Sequence, residues 1–276
     1  MIVKVLAENT SVSTEFISEH GLSLYIETEN NKILFDTGSG SAFAENAKRL
    51  GVDLSLVDLA VLSHGHYDHA GGLKTFFNLN SRAEVYVHKE AFAPHYANRS
   101  GGEKDYIGAD QSLLENERFV FCDDSKVIDD ELELFAAVRG KRFVPSGNKD
   151  LLVKEGDSFR ADPFLHEQNL IVRQGNKTML VAGCAHRGIV NIVDGFKEKF
   201  GFFPDYVVGG FHLCNRTSGQ SERPDNLKRI GRILLETGAE YFTGHCTGID
   251  AYNILKSVMG VKIEYLSTGS VKAFKD

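Results

Sequence analysis

A cluster of three histidines and one aspartate directly follows a short apolar segment near residue 60. The apolar segment is "LAVLS" (59–63), and the cluster is "HGHYDH" (64–69), with glycines at 71 and 72. The apolar run predicts a buried strand, and the glycines predict a tight turn. A histidine-rich surface loop is the alternative, but His64, His66 and Asp68 alternate and would point to one side, and the turn at the glycines would let His69 join them, which favours one converging site. Imidazole and carboxylate together suit zinc, iron(II) or manganese, so the cluster predicts metal binding.

Apolar patterning along the chain predicts strands followed by helices, twice over. The first half contains "MIVKVL" and a hairpin in which Glu29-Asn30-Asn31 joins "LSLYIET" to "KILFDTG". The second half repeats this order with the hairpin "LIVRQGNKTMLVAG" and the helix "GIVNIVDGFKEKF". We therefore predict an α+β fold, with two mixed β-sheets packed face to face and helices on the outer faces.

The interval from about residue 90 to 150 is predicted to be an insertion rather than a separate domain. Its first part contains Pro94 and Gly101-Gly102 and is predicted to be irregular. No linker-like composition bounds the interval. We expect residues 1–276 to form a single domain in which this insertion shapes the substrate pocket.

Composition narrows the classes of partner. The 276 residues carry a net charge of -7, which disfavours a broad basic surface for nucleic acid, and no apolar run could span a bilayer. The four cysteines form no C-x-x-C pair, so reduced thiols are expected. The first residues lack the pattern of a secretion signal, which makes a cytoplasmic location the expectation. A small-molecule partner is favoured, and the oligomeric state is left open.

Three more histidines follow short apolar strands of the second half. They are His186 in "MLVAGCAH", His212 in "YVVGGFH" and His245 in "YFTGH". Ligands bind at the carboxyl ends of strands in open sheets. His186 and His245 are therefore predicted metal ligands, and His212 is predicted to be either a ligand or a substrate contact. A lone histidine at such a place is otherwise a hydrogen-bonded structural residue.

These motifs resemble those of the metallo-β-lactamase-fold superfamily. The H-x-H-x-D-H loop is its principal motif, and Asp36 in "ILFDTG" matches its earlier one. The segments "GCAHRGIVN", "GGFHL" and "GHCTG" resemble the branch that includes the dihydropterin ribofuranosylaminobenzene phosphate synthases of methanopterin biosynthesis. The resemblance implies a four-layer αββα sandwich over nearly the whole chain.

The resemblance also implies how the ligands divide between two ions. His64 and His66 would bind the first ion, while Asp68, His69 and His245 would bind the second. Asp68 is in addition assigned as a catalytic residue.

The chain departs from the family pattern at two ligand positions. No clear "GH" segment supplies a third histidine to the first ion, and Gly183-Cys184-Ala185-His186 stands where the family has "GD". We expect His186 to replace the missing histidine, with His166 in "FLHEQNL" as the competing candidate. Cys184 would occupy the bridging position, unless it is only a small buried residue.

Residues around the predicted ligands are expected to orient them or to contact the substrate. Asp36 is predicted to orient a liganding histidine, with a turn-forming role as the alternative. Basic residues near the site segments that could hold a substrate phosphate are Arg187, Arg216, Arg223 and Lys228, and Arg187 is favoured among them. Tyr96, Tyr106 and Phe143 are candidates for stacking on a flat ring.

The predicted function is that of a metal-dependent hydrolase acting on a small phosphorylated or ester substrate. Two divalent ions, zinc first and iron or manganese as alternatives, would activate water and polarise the substrate. The alternative is a transferase that condenses a pterin with a phosphorylated aromatic riboside. A diiron redox enzyme is disfavoured because no flavin-binding segment is evident, and a metal-dependent binding module would require a closed coordination sphere.

Overall fold

Three β-sheets and six α-helices make up the structure, a computed structural model that describes residues 1–136 and 138–275. The strands are β1 (Ile2–Ala7), β2 (Ser23–Glu27), β3 (Lys32–Phe35), β4 (Leu59–Val61), β5 (Glu84–His88), β6 (His95–Asn98), β7 (Lys104–Tyr106), β8 (Phe119–Cys122), β9 (Ser125–Val127), β10 (Leu132–Phe135), β11 (Leu151–Glu155), β12 (Ser158–Ala161), β13 (Asn169–Gln174), β14 (Lys177–Val181), β15 (Tyr206–Gly210), β16 (Glu240–Gly244), β17 (Ile263–Tyr265) and β18 (Val271–Ala273). The helices are α1 (Ala42–Arg49), α2 (Tyr67–Ala70), α3 (Leu73–Leu79), α4 (Ile189–Phe200), α5 (Pro224–Glu236) and α6 (Ile249–Met259). Short 3₁₀ turns cover Leu54–Leu56, Gln111–Leu113, Ser146–Asp150, His245–Thr247 and Gly260–Lys262.

Two of the sheets have seven strands each and mix parallel with antiparallel pairs. The first sheet has the order β18-β1-β2-β3-β4-β5-β8, and the second has the order β17-β16-β15-β14-β13-β10-β9. Both predicted hairpins form, as the antiparallel pairs β2–β3 and β13–β14. The mixed-sheet α+β fold predicted from the sequence is confirmed.

Alternating side chains place the helices outside the two sheets. On β3, Ile33 and Phe35 are buried among apolar residues of both sheets, whereas Leu34 packs with residues of α1 and α3. On β14, Val181 joins the core between the sheets and Leu180 packs with residues of α4, α5 and α6. This period of two produces four layers, because each sheet buries one face against the other sheet and one against helices.

The third sheet was not foreseen, and it corrects one expectation. It has the order β12-β11-β6-β7, so the segment around Pro94 and Gly101-Gly102 contains the strands β6 and β7 rather than being irregular. Both strands are short. β6 pairs with β11, which lies more than 40 residues further along the chain, and β7 pairs with β6. Pairing at that distance leaves little local signal. The single-domain organisation, with an insertion at 90–150, remains a prediction.

The parallel strands end at a common edge. Phe35 of β3 lies beside Val61 of β4 in the first sheet. In the second sheet, Val181, Val208 and Phe242 lie side by side on β14, β15 and β16. Polar side chains that follow these strands are thereby brought to one edge of the sandwich.

Within residues 1–136 and 138–275, no helix combines the length and the apolar character needed to cross a membrane.

Candidate metal centre

The candidate metal-binding side chains all follow strands that end at this common edge. In chain order they are the cluster His64–His69 after β4, Cys184 and His186 after β14, His212 after β15, and His245 after β16; the predicted orienting residue Asp36 follows β3 at the same edge. Asp36, Ala185, His212 and His245 have φ angles of 49 to 59°. Non-glycine residues rarely adopt this left-handed conformation. Four of them at one edge of the sandwich indicate a site at which the surrounding contacts hold the backbone in a strained conformation.

One group of nitrogen atoms comes from His64, His66 and His186. Nε2 of His64 lies 3.1 Å from Nδ1 of His66. The ring of His186 is centred 5.0 Å from each of the other two rings, and one ligand atom from each residue falls within 4.8 Å of the others. Nε2 of His186 is buried and has no hydrogen-bond partner among the described residues. An unpaired buried acceptor in a cluster of imidazoles is expected where an ion completes the coordination.

A second group lies beside the first and mixes nitrogen, oxygen and sulfur. Nε2 of His69 lies 3.1 Å from Sγ of Cys184 and 3.2 Å from Nε2 of His245. Oδ2 of Asp68 lies 3.5 Å from Nε2 of His245 and 4.0 Å from Nε2 of His69. Cys184 also groups with His64 and His69 within 4.8 Å, so its sulfur lies between the two groups.

Asp36 orients two of the histidines. Its Oδ2 accepts a hydrogen bond of 2.6 Å from Nδ1–H of His69 and one of 2.7 Å from the Ser63 hydroxyl. Oγ of Ser63 in turn lies 2.9 Å from Nδ1 of His64 and accepts its proton. Both histidines therefore carry their proton on Nδ1, which leaves the Nε2 lone pair for an ion. The position of Asp36 supports the orienting role over the turn-forming one.

Two asparagines orient His186 and His245 in the same way. Oδ1 of Asn148 lies 3.1 Å from Nδ1 of His186, and Oδ1 of Asn9 lies 2.9 Å from Nδ1 of His245. Nδ2 of Asn9 lies 3.3 Å from Nδ1 of His20. His20 consequently carries its proton on Nε2, which donates to Oδ2 of Asp68 over 3.0 Å. The Nε2 atoms of His186 and His245 again remain free to bind a metal.

His66 is backed by a buried polar group that includes the competing candidate His166. Nδ1 of His166 accepts the Gly65 N–H at 2.9 Å, and its Nε2–H faces Asp162 at 3.3 Å. With one nitrogen accepting and the other donating, His166 has no lone pair for an ion. Nδ1–H of His95 donates to the same carboxylate at 2.8 Å, and the ring of His95 is centred 5.5 Å from that of His66. His166 thus supports the loop, and His186 is the histidine that joins His64 and His66.

His212 lies at the wall of the candidate site. Its ring is centred 4.1 Å from that of His186, and a nitrogen of His212 groups with Cys184 and His186 within 4.8 Å. Its Nδ1 is buried without a partner among the described residues. The side chain also lines the open cleft above the two groups, so both predicted roles remain compatible with its position.

Arg187 is directed away from this cleft. Its guanidinium donates to the carbonyl oxygens of Pro163, at 2.8 Å, and Val138. Nothing in this position supports the predicted contact with substrate.

The three candidates for ring stacking also lie elsewhere. Tyr96 packs edge-on against Tyr106 and Phe159 on the third sheet, and Phe143 packs against the helices of the second sheet. Tyr67 is an aromatic residue that does line the cleft.

Burial controls the charge of these groups. Burial lowers the pKa of His64, His66 and His186 well below its usual value, and the neighbouring imidazoles lower it further. These rings are therefore neutral, as metal binding requires. Although burial raises the pKa of Asp68, the hydrogen bond from His20 and the neighbouring imidazoles hold it well below its usual value, which keeps the carboxylate ionised.

Comparison with known proteins places this site in a family. The model of the metallo-beta-lactamase superfamily matches residues 19–220, and the chain belongs to that superfamily. Tm1679, described as a metal-dependent hydrolase of the beta-lactamase superfamily, has a crystal structure that superposes with a TM-score of 0.83 at 35% identity, covering 100% of both chains.

Two proteins of Methanocaldococcus jannaschii are similar over nearly the whole chain. The uncharacterised protein MJ0448 is 30% identical over 93% of this chain and 94% of its own length. A 7,8-dihydropterin-6-methyl-4-(beta-D-ribofuranosyl)-aminobenzene-5'-phosphate synthase is 28% identical over 99% of this chain and 96% of its own. The resemblance identified from the sequence motifs is confirmed.

The donor set fits the divalent ions, such as zinc, that this superfamily typically binds. Each of His64, His69, His186 and His245 presents a free Nε2 lone pair, because a neighbouring acceptor holds the proton on Nδ1. Histidine nitrogen, carboxylate oxygen and cysteine sulfur are the ligands that zinc accepts in proteins. The identity of the metal remains a prediction.

Several residues that support the candidate ligands were not predicted from the sequence. Asn9, His20 and Asn148 are isolated polar residues on loops distant in sequence from the histidine cluster, so no spacing marks them. Ser63 stands directly before His64 and was counted only as the end of the apolar segment. The position of Ser63 next to His64 was the one local feature of the sequence that could have indicated its supporting role.

Asn9 provides a test of the orientation described above. Asn9→Ala removes the acceptor of His245 Nδ1–H and the donor to His20, so we expect affinity for a divalent ion to fall by about 10–100-fold. The measurement is competition with a chromophoric chelator, starting from metal-depleted protein. Asn30→Ala, at an exposed position on the β2–β3 turn, is the matched control and should leave affinity unchanged. Equal affinity of the two variants would contradict the assigned role.

Proposed function

We propose that this protein is a metal-dependent hydrolase of small phosphorylated substrates, with two divalent ions held side by side. The observation that carries the proposal is the pair of adjacent ligand groups whose free lone pairs meet beneath an open cleft. The 35% identity to Tm1679 over the full chain supports the hydrolase class. Zinc is the proposed metal, with iron or manganese as the alternatives.

The proposed ligand sets follow the two groups. His64, His66 and His186 hold the first ion, and Asp68, His69 and His245 hold the second, with Cys184 between them. Ions bound there would supply an activated water and polarise a phosphoryl or carbonyl oxygen.

The remaining side chains hold this arrangement and meet the substrate. Asp68 stays ionised, because His20 donates to Oδ2, and His20 is itself held by Asn9. In our proposal His212, at the cleft wall, contacts the substrate rather than an ion. Water leaves the cleft as substrate enters, which strengthens each of these polar contacts.

Two arginines support the choice of a phosphorylated substrate. Arg99 and Arg216 line the same cleft as His186 and His245, a space of about 580 Å³ including the part open to solvent. Arg99 is held by Asp105 at 2.7 Å, and Arg216 donates to the Tyr67 hydroxyl. Guanidinium groups are suited to phosphate oxygens. Although Asp68 and Asp150 also line this cleft, its two guanidinium groups would attract an anionic substrate.

A small-molecule partner and a cytoplasmic location complete the proposal. The cleft is concave and combines an apolar lining with a few converging polar groups, as small-ligand sites do.

Metal dependence is the first test of the hydrolase. Zinc-loaded protein should hydrolyse at least one member of a panel of phosphomonoesters, phosphodiesters and carboxylic esters. Chelation should abolish turnover, and zinc should restore it. His64→Ala should lose turnover, whereas His88→Ala, at a buried histidine outside the site, should keep it. No turnover after loading with zinc, iron or manganese would contradict the hydrolase.

Substrate charge is tested at the two arginines. Arg99→Ala and Arg216→Ala should each raise KM for a phosphorylated substrate by about 10-fold or more, since each removes a charge-assisted hydrogen bond. KM for an uncharged ester should change little. Arg82→Ala is the control, because Arg82 precedes β5, does not line the cleft and pairs with Asp58 instead. A KM that rises equally for charged and uncharged substrates would indicate a general distortion of the cleft instead.

A synthase acting on a pterin and a phosphorylated aromatic riboside is the second candidate. The observation that favours it is the 28% identity to the M. jannaschii synthase over 99% of this chain. The same arginines would hold a phosphate in that reaction, and the Tyr67 ring beside them offers a surface for a flat ring.

Pterin binding separates the two candidates. If the synthase is correct, a reduced pterin should bind the metal-loaded protein, with a change in its fluorescence. Tyr67→Ala should weaken that binding, whereas Tyr106→Ala on the third sheet should not. Absence of pterin binding, together with phosphoester turnover, would favour the hydrolase.

A further inference from the structure

A second cysteine lies against the mixed ligand group. Cys246 directly follows His245 in the 3₁₀ turn after β16, and it is buried. Its sulfur, the sulfur of Cys184 and a nitrogen of His245 all lie within 4.8 Å of one another. The two thiols come from the ends of different strands, so the fold brings them together.

The surroundings of Cys246 make room for its sulfur and stabilise it. A Cβ on Gly210 would lie 2.6 Å from Sγ of Cys246, so only glycine leaves space for the thiol at that point of β15. The backbone N–H of His212 donates to this sulfur at 3.3 Å. An N–H donor stabilises the negative charge of a thiolate.

We propose that Cys246 is a second thiolate ligand, beside Cys184, at the ion held by His245. This inference rests on the proposed metal centre. In a four-coordinate zinc site with bonds of 2.0–2.3 Å, neighbouring ligand atoms lie roughly 3.3–3.8 Å apart. The two sulfurs and the His245 nitrogen lie within 4.8 Å of one another and would draw together to that spacing around an ion.

Two thiolates determine which metals this centre selects. Thiolate ligands favour zinc and other thiophilic ions, whereas magnesium and manganese favour oxygen. With Cys246 as a ligand, the centre should discriminate strongly against manganese. Among the metals considered above, the inference favours zinc or iron.

Cobalt(II) substitution tests the second thiolate without reference to activity. Thiolate-to-cobalt charge-transfer absorption grows with the number of cobalt–sulfur bonds, so Cys246→Ser should lower its intensity by roughly a third to a half. Cys184→Ser should also lower it. Cys122→Ser, at a buried cysteine of β8 between the sheets, is the matched control and should leave the spectrum unchanged. The preference for zinc over manganese, measured by competition, should fall at least 10-fold in Cys246→Ser.

The outcomes separate this inference from the proposed function. A charge-transfer band that Cys184→Ser abolishes and Cys246→Ser leaves intact would overturn the role of Cys246 while the metal centre stands. Failure of the wild-type protein to bind cobalt or zinc would overturn the centre itself.

A crystal structure of the zinc-loaded wild-type protein gives an answer that does not depend on folding of the variants. Sγ of Cys246 should lie about 2.3 Å from an ion. A separation greater than 3 Å would overturn the inference.

Discussion

The buried carboxylate of Asp36 fixes the geometry on which the site depends. It accepts the Ser63 N–H and hydroxyl at 2.7 Å each and Nδ1–H of His69 at 2.6 Å. These contacts join the end of β3 to the loop after β4 and set the protonated nitrogen of both His64 and His69. A carboxylate buried this completely is stable only when its oxygens are fully hydrogen-bonded. The left-handed conformation of Asp36 is the local strain that this bonding offsets.

Two other buried carboxylates hold the loops of the second sheet. Glu167 accepts the backbone N–H groups of His186 and Arg187 at 2.5 and 2.9 Å, and burial raises its pKa to about 7. Glu8 accepts the N–H of His245 at 2.5 Å and the hydroxyl of Tyr265 at 2.8 Å. Each ligand-bearing turn is therefore fixed by an acid from another element. Such support holds the ligands in place before an ion arrives, which reduces the reorganisation that binding requires.

The two halves of the site differ in chemistry as well as in origin. The group of His64, His66 and His186 offers nitrogen only, whereas the group around Asp68 adds oxygen and sulfur. In the proposed two-metal centre, harder and softer ligands side by side would let two ions of one element take different environments. The cleft above them carries its positive charge on Arg99 and Arg216, so an anionic group and the proposed reaction centre would lie in one pocket. The hydrolase and synthase candidates share this arrangement and differ in what occupies the rest of the cleft.

Local sequence determined the elements and the ligand types. The strand "LAVLS", the cluster His64–His69 and the histidines after the strands of the second half were recognisable because each rests on short-range periodicity and spacing. The same patterning predicted the layered α+β fold, now confirmed. The sequence did not predict the third sheet, the supporting roles of Asn9, His20 and Asn148, or the place of Arg99 in the cleft, and among the basic residues near the site it favoured Arg187 over Arg216. Tertiary structure decided these features, because strand pairing across 40 residues and the direction of a side chain depend on contacts between distant segments. Only the folded chain, likewise, shows that Gly65 and Asp162 contact the two nitrogens of His166.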